Sequence, residues 1–418
     1  MPDSTQADQA SDNLLRSADF RRLWLSNALT NFGAQITMLA LPVAAALLLH
    51  ATSSQMGVLA ACETLPFLLF GLPIGVLLDR NRRLPVMLCS DALVMIALAS
   101  VPIAWKLDLL TIHWLYAVGF VIGSGYVIGG GAEQVFLTFI VGRDKLVDAQ
   151  ARFASTESAA RLLGPGLAGT LVQLVGPPLA VLCNAAGFAI SLLNLRRIRA
   201  REPEPARKDT HPVREMIDGL SFVWHHETLR KLAWTSGGWH LMFFGFNALQ
   251  VLFALRVLAL APGVMGTAQM LGGVGVLAGS VLVKPLTARL GVGTVLMVGQ
   301  AASAVGWVLM PAIPATLFGS AAAATLYGIA MFFVDLGATL FFIPYGALRQ
   351  KLTPDPMLGR MIATMRFLTV AMAPIGSMVA GVMGQQIGVR AALGWIGAAS
   401  IALVLATLFG TGLRKVKD

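Results

Sequence analysis

Gly75-Val76-Leu77-Leu78-Asp79-Arg80-Asn81-Arg82-Arg83 is a short charged break between two long apolar stretches, and the rest of the chain is read outward from it. On its N-terminal side, Met56 to Leu78 holds one ionisable carboxyl, Glu63; on its C-terminal side, Leu84 to Ala104 holds one, Asp91. A hydrocarbon core about 30 Å thick needs roughly 20 apolar residues of helix, so each flank can cross it and the basic break stays in water.

The same punctuation runs through all 418 residues, of which 56% are apolar and 12% charged, with a mean hydropathy of +0.73. A soluble domain carries about 25% charge, so an ordinary soluble protein is excluded. The net charge of +10 does not read as nucleic-acid binding, because the basic residues separate apolar runs instead of gathering on one soluble face. Cys62, Cys89 and Cys183 each lie in an apolar stretch without a partner at ligand spacing, so neither a disulfide framework nor a metal site is expected. No cofactor is expected.

The apolar runs place twelve membrane-spanning helices at about Leu23 to Leu49, Met56 to Leu78, Leu84 to Ala104, Ile112 to Phe136, Ser158 to Leu174 and Leu179 to Leu195, then Leu232 to Leu255, Met265 to Val283, Val295 to Pro311, Leu317 to Phe342, Ile362 to Gly384 and Ala391 to Phe409. With this layout 27 of the 31 Lys and Arg residues fall on one side. Cytoplasmic loops retain positive charge, so both termini are expected in the cytoplasm and the span count is even. The expected organisation is a tail over 1–19, a six-helix bundle over 20–195, a linker over 196–231, a second bundle over 232–409 and a short tail over 410–418. Within the linker, Val213 to Trp224 has the apolar spacing of an amphipathic helix, which lies in the membrane interface or packs under the bundle.

A shift of 209 residues lays Arg21, Arg22 and Leu23 on Arg230, Lys231 and Leu232, Arg80 on Arg289, Ala154 on Ala363, and Pro165 on Pro374. One offset at four separated places argues for duplication of a six-helix unit, the plan of transporters whose site lies between two parallel repeats.

The opening stretch resembles the G-x-x-x-D-R-x-x-R-R signature of the major facilitator superfamily, with Arg82 where a second glycine is usual. Phe20-Arg21-Arg22-Leu23-Trp24, Glu63-Thr64-Leu65-Pro66, Gly142-Arg143-Asp144-Lys145-Leu146 and Gly359-Arg360-Met361 narrow the resemblance. It extends from Phe20 to about Leu408 and points to the bacterial exporter branch that includes siderophore and macrolide efflux proteins, the transmembrane secretion effectors. The resemblance implies an all-α membrane fold of twelve helices in two six-helix halves, in a bacterial cytoplasmic membrane. It implies a central cavity lined by the first, fourth, seventh and tenth spans.

Five groups of residues are candidates for function. Gly75, Asp79, Arg80, Arg82 and Arg83 form either a conformational latch at the cytoplasmic surface or a basic anchor for the helix pair. Gly164, Pro165 and Gly169 resemble an antiporter element; proline frees a backbone carbonyl and glycine admits close approach, so they bend the fifth span or simply pack it. Glu63 and Asp335 are proton-coupling candidates, since a carboxyl among apolar neighbours is costly to keep charged; a neutral structural role for Glu63 is the alternative. Asp91, Glu133, Glu157 and Arg161 read as a charge network at the inner mouth, with Glu157 and Arg161 four residues apart on one face. Asn27, Asn31, Gln35, Tyr126, Trp239, His240, Phe243, Asn247 and Gln250 are cavity candidates, and the stripe Trp239, Phe243, Asn247 either forms a cavity wall or fills the interhelical core.

Two departures weaken proton coupling at familiar places: Ala34 stands where related exporters often carry an acid, and the fourth span has no arginine. The reading is a proton-coupled exporter of small amphipathic organic molecules, acting as a monomer in the bilayer. An importer or facilitator of a polar nutrient, or a receptor without transport, is the alternative. An enzyme is disfavoured, with no P-loop, no H-E-x-x-H and no nucleophile with its base.

Overall fold

Ser17 starts the first long helix: its hydroxyl accepts the Phe20 backbone N–H at 3.3 Å, meeting one of the donors that a helix start leaves open. The computed structural model describes residues 14–71, 73–200, 202, 212–314, 319–410 and 412; of 75, 76, 79, 212–216 and 356 it describes the backbone alone. Among the described residues there is no strand. Helices in the first half are α1 (Ala18–Leu47), α2 (Ser53–Phe70), α3 (Pro73–Arg80), α4 (Arg83–Lys106), α5 (Ile112–Val141), α6 (Leu146–Val175) and α7 (Pro177–Arg196). After α8 (Pro212–His225) come α9 (Glu227–Leu252), α10 (Pro262–Leu290), α11 (Val292–Ala312), α12 (Gly319–Lys351), α13 (Leu358–Val370), α14 (Met372–Ile387) and α15 (Val389–Gly410).

Among the described residues, eleven helices are long and apolar enough to cross a membrane, counting α9 with its π-helical end Phe253–Val257 as one and α13 with α14 as one. The helix α6 falls outside this set because it carries Asp148, Arg152, Glu157 and Arg161. Large apolar side chains such as Leu93, Ile96, Leu167, Val281 and Trp395 are exposed on the outside of the bundle, as a hydrocarbon solvent requires.

Several helices run past the expected bounds, among them α10 to Leu290 and α12 to Lys351, and three further differences have a local cause. The second span is two helices, α2 and α3, because Pro73 has no N–H with which to continue the ladder. The eleventh span divides at Ala371, just before Pro374. The fifth span begins at Leu146 instead of Ser158, since its polar first half is helical although it is not apolar.

Ala18, Ser53 and Arg83 open α1, α2 and α4; Glu227, Pro262 and Val292, each 209 residues later, open α9, α10 and α11. In the first half α1 packs on α6 and α7, α4 on α5 and α7, and α2 on α5. In the second, α12 packs on α10 and α11, α11 on α15, and α9 on α14 and α15. Two seams join them, α6 against α10 and α2 against α14.

Each seam is a glycine crossing. A Cβ on Gly381 of α14 would stand 2.9 Å from the Cα of Gly57 in α2, and a Cβ on Gly169 of α6 would stand 2.9 Å from the Cα of Gly266 in α10. Gly57 and Gly266 are themselves one 209-residue shift apart. In lipid, where no hydrophobic effect pulls helices together, dispersion between closely approaching backbones supplies the attraction, and only glycine permits this approach. Both crossings lie toward the end of the bundle away from the chain termini. There Arg256 Nη2 donates to the Ala46 carbonyl at 2.9 Å and the Gly263 N–H donates to Gln173 Oε1 at 2.9 Å.

The helix α8 packs on α13: Asp218 pairs with Arg360 at 3.2 Å and Val223 is buried, while Ile217, Leu220 and Trp224 are exposed. Val213 and Met216 of the expected apolar stripe have side chains outside the described residues.

Candidate functional site

A cavity of about 840 Å³ lies between the halves at the end that carries the termini. The glycine-rich middle of α5 opens its floor: Gly125, Gly129, Gly130 and Gly131 line it, and Ser90 of α4 donates to the Gly125 carbonyl at 2.9 Å. Ser26, Asn27, Thr30 and Asn31 of α1 supply one wall, Asp91 of α4 and Tyr126 and Glu133 of α5 the next, and Ile362, Ala363, Arg366, Phe367 and Val370 of α13 face them. Glu157 and Arg161 of α6 stand at its rim.

The four expected members of an inner charge network all line this cavity, but they are not one network. Arg161 pairs with Glu157 at 2.9 Å, one helical turn away. The other two turn to neutral donors: Asp91 Oδ2 accepts from Ser191 Oγ at 2.7 Å, and Glu133 Oε2 accepts from Asn27 Nδ2 at 3.1 Å. Asp91 faces α7 and Glu133 faces α1, whereas the Arg161 guanidinium is held on its own helix by Glu157.

The cavity candidates divide between the halves. Asn27, Asn31 and Tyr126 line the cavity; Gln35 is packed instead against Gly164. Trp239, His240, Phe243 and Asn247 are absent from the lining. Trp239 is 3% exposed, donates its indole N–H to Ser303 Oγ at 3.2 Å, stacks on Phe243 at 4.6 Å and meets Phe342 edge-on at 4.8 Å. The stripe spacing fixes one face of α9 but not its rotation, and that face turns into α11 and α12 as core. His240 Nδ1 lies 2.8 Å from the Ser236 carbonyl oxygen, and Asn247 Nδ2 donates to the Phe243 carbonyl at 2.8 Å, both within α9. Gln250 also turns inward, joined to Tyr327 and Gln269 in a buried polar triad.

Neither proton-coupling candidate lines the cavity. Glu63 lies between α2 and α5, where a Cβ on Gly119 would stand 3.1 Å from its Cγ. Asp335 of α12 lies against Gly272 of α10, and the next residue, Gly273, meets the Arg161 carbonyl and Leu162 of α6 across the seam. In the antiporter-like element, Gly164 meets Gln35 of α1, Gly166 meets Met270 of α10, and the Pro165 carbonyl lies against Gly266. It is a packing surface for two helices at once.

Of the opening stretch, the side chains of Gly75 and Asp79 lie outside the described residues. Arg80 and Arg82 are exposed. Arg83 meets a partner the sequence did not suggest: Glu202, beyond α7, accepts the backbone N–H groups of Arg83 at 2.6 Å and Leu84 at 3.1 Å and lies 3.7 Å from the Arg83 guanidinium. The carboxylate thus caps α4 and meets the positive end of its dipole. Glu202→Ala is expected to lower stability by about 1 kcal/mol, read as a fall in the thermal midpoint of the detergent-purified protein, with Glu202→Gln intermediate.

Sequence reasoning also missed Ser191 and Arg366. The first is an ordinary serine in an apolar run, without any signal of its own. The second is a basic residue inside the expected eleventh span; it sits in α13, lines the cavity and lies over the Phe67 ring at 5.9 Å across the seam.

Twelve spans' worth of helix in two repeats, joined at two glycine seams about a central cavity, is the architecture of a major facilitator membrane transporter. Solved structures with this fold include the nucleoside transporter NupG, as a D323A mutant, at a TM-score of 0.75 and 12% identity, covering 93% of this chain and 99% of that one. A bacterial homologue of the iron transporter ferroportin in an inward-facing state also has a TM-score of 0.75, with 18% identity over 96% of this chain and 100% of that one. A family model described as transmembrane secretion effector matches residues 11–418, and the chain belongs to that family, an exporter branch of the superfamily. Among curated proteins, the multidrug efflux pump Tap of Mycolicibacterium fortuitum is 25% identical over 184 residues, 42% of this chain and 45% of the relative. The match spans less than half the length of the curated relative.

Proposed function

We propose that this protein exports small amphipathic organic molecules from the bacterial cytoplasm by alternating access, driven by proton exchange. One observation carries the reading: a cavity of about 840 Å³ lies at the end with the basic loops, while the opposite end is shut by the Gly57–Gly381 and Gly169–Gly266 crossings. Its size is that of sites for drug-sized ligands, about 300–1,000 Å³. The charge bias of the loops supports a cytoplasmic position for that end, and in this reading the state loads substrate from inside. Both crossings must part and the cytoplasmic end must close for release. The similarity to a named multidrug efflux pump supports an organic substrate.

Glu63 and Asp335 are the proton carriers in this reading. Each is an ionisable group inside a span: Glu63 packs against Gly119 of α5, the helix that carries Tyr126 of the cavity, and Asp335 packs against Gly272 of α10, next to the Gly273 that meets α6 at the seam. Proteoliposomes loaded with a fluorescent dye and placed under an imposed pH gradient test it. Wild type should move dye faster under the gradient than without it, and Glu63→Gln or Asp335→Asn should remove most of that acceleration. Dye flux that ignores the gradient and both substitutions would overturn proton coupling, and no flux at all would overturn transport.

A further inference from the structure

The helix α8 carries an apolar face that its packing against α13 leaves exposed. Ile217, Leu220 and Trp224 are 56%, 42% and 53% exposed, and at about 100° per residue they share one sector of the helix roughly 60° wide. Gly219 and Val223 lie to one side of that sector and face the bundle, where Gly219 meets the Arg360 carbonyl of α13 and Val223 is buried with Met361 and Met365. Ser221 and His225 lie to the other side and are exposed. The helix thus has a protein-facing sector, a polar sector and, between them, an apolar sector that the packing does not use.

The repeat separates this face from the packing beside it. A shift of 209 residues takes Val223 to Leu14, and both are buried, each in a core cluster of its own half. The same shift takes Ile217 and Leu220 to Asp8 and Ser11, and Trp224 alone keeps an apolar counterpart, Leu15. The contact under each bundle needs the buried residue; the exposed apolar pair belongs to the second half alone. Trp234, about two turns into α9 and 69% exposed, extends the apolar surface from Trp224 onto the outside of the bundle. At the opposite end Trp105 and Trp114 are exposed where α4 ends and α5 begins, so indole rings mark both ends of the bundle, as they do at the two headgroup levels of a bilayer. Residues 203–211, which lead into α8, hold no large apolar side chain that could cover its face.

We propose that Ile217, Leu220 and Trp224 dock α8 into the headgroup–acyl boundary of the leaflet on the side of the chain termini, and that this lipid surface holds α13 in place. A helix with one apolar and one polar sector lies in that boundary with its apolar side down. The hold passes through Asp218, which pairs with Arg360 at 3.2 Å, and through Gly219, whose added Cβ would stand 3.0 Å from the Arg360 carbonyl. The helix α13 is divided from α14 at Ala371, and its Ile362, Phe367 and Val370 line the cavity. A shift of α8 in the boundary therefore moves one cavity wall without carrying α14. Docking is by apolar contact and not by charge: α8 sets Arg214 against Glu215 and Asp218, so it has no basic excess with which to select anionic headgroups.

Docking is tested with single cysteines, Ile217→Cys on the apolar sector and His225→Cys on the polar one, in the full chain with Cys62, Cys89 and Cys183 replaced by serine. Each is labelled with the NBD fluorophore and reconstituted into phosphatidylcholine vesicles. The label at 217 should be quenched at least about twofold more than the label at 225 by a lipid spin-labelled near its headgroup, and at least about twofold less by iodide. Adding phosphatidylglycerol should leave this contrast unchanged; a contrast that needs it would overturn docking by apolar contact. Quenching of both labels by iodide alone would place the face in water and overturn the proposal. Protection of position 217 from both quenchers would do the same, giving the face to a second copy or to another protein segment. The hold on α13 is read from Ala363→Cys, with Gly130→Cys on the facing wall as its control, since an added Cβ at Gly130 meets nothing within 4 Å. Ile217→Glu combined with Leu220→Glu should change the reaction of position 363 with a water-soluble thiol reagent at least about threefold and leave position 130 unaltered. A change at both positions, or at neither, would overturn the hold.

Discussion

Replacing Gly381 with leucine is expected to reduce transport at least about tenfold in a protein that still inserts and purifies. The new side chain enters where a Cβ alone would stand 2.9 Å from the Gly57 Cα, with backbone and no flexible side chain to yield. Overpacking costs about 1–3 kcal/mol, and here the cost falls on the state in which this crossing is closed. A penalty confined to one of two states shifts their balance by about a factor of ten for every 1.4 kcal/mol. Gly169→Leu should act alike at the other seam, while Gly394→Leu, whose added Cβ meets nothing within 4 Å, should transport normally. A cysteine at Ser54, in a chain whose three native cysteines are replaced, should react faster with an impermeant thiol reagent in the Gly381→Leu background. Wild-type transport and unchanged labelling would show that the crossing is not part of the cycle.

Trp239→Ala is expected to destabilise the protein by about 3 kcal/mol. The indole is buried against Phe243, Phe342 and Trp307, and its removal also leaves the Ser303 hydroxyl without one of its partners. The loss should register in the thermal midpoint, with binding of the fluorescent dye probe by the surviving protein unaltered. A variant that melts normally but loses probe binding would return Trp239 to the cavity wall.

The contrast between Trp239 and Asp91 explains what was legible in the residues. Apolar runs, basic breaks and a 209-residue offset can be read along the chain, because the bilayer imposes length and charge rules that no neighbour can relax. The rotation of a helix about its axis cannot be read so easily. Inside lipid every face of a helix is apolar, so an aromatic stripe on α9 looks the same whether it faces a cavity or α11. For Asp91, sequence located an intramembrane carboxyl and read it as part of a charge network at the inner mouth. Only packing brought Ser191 to it, from a helix that begins 86 residues beyond Asp91 at Pro177. Glu202 is a similar case: its capping of α4 depends on where the chain returns after α7.

Sequence by itself determined that this chain is a duplicated, polytopic helical membrane protein of the major facilitator kind, and it supplied the ionisable residues on which any mechanism rests. Tertiary structure decided which of them face one another: that the second half offers core where a cavity wall was expected, that glycine pairs close one end, and that the acidic wall belongs to the first half alone. Spans are fixed by transfer from water to hydrocarbon, a local property of each segment. A cavity is fixed by how tightly backbones approach and which faces they present, and that exists only once distant helices are packed.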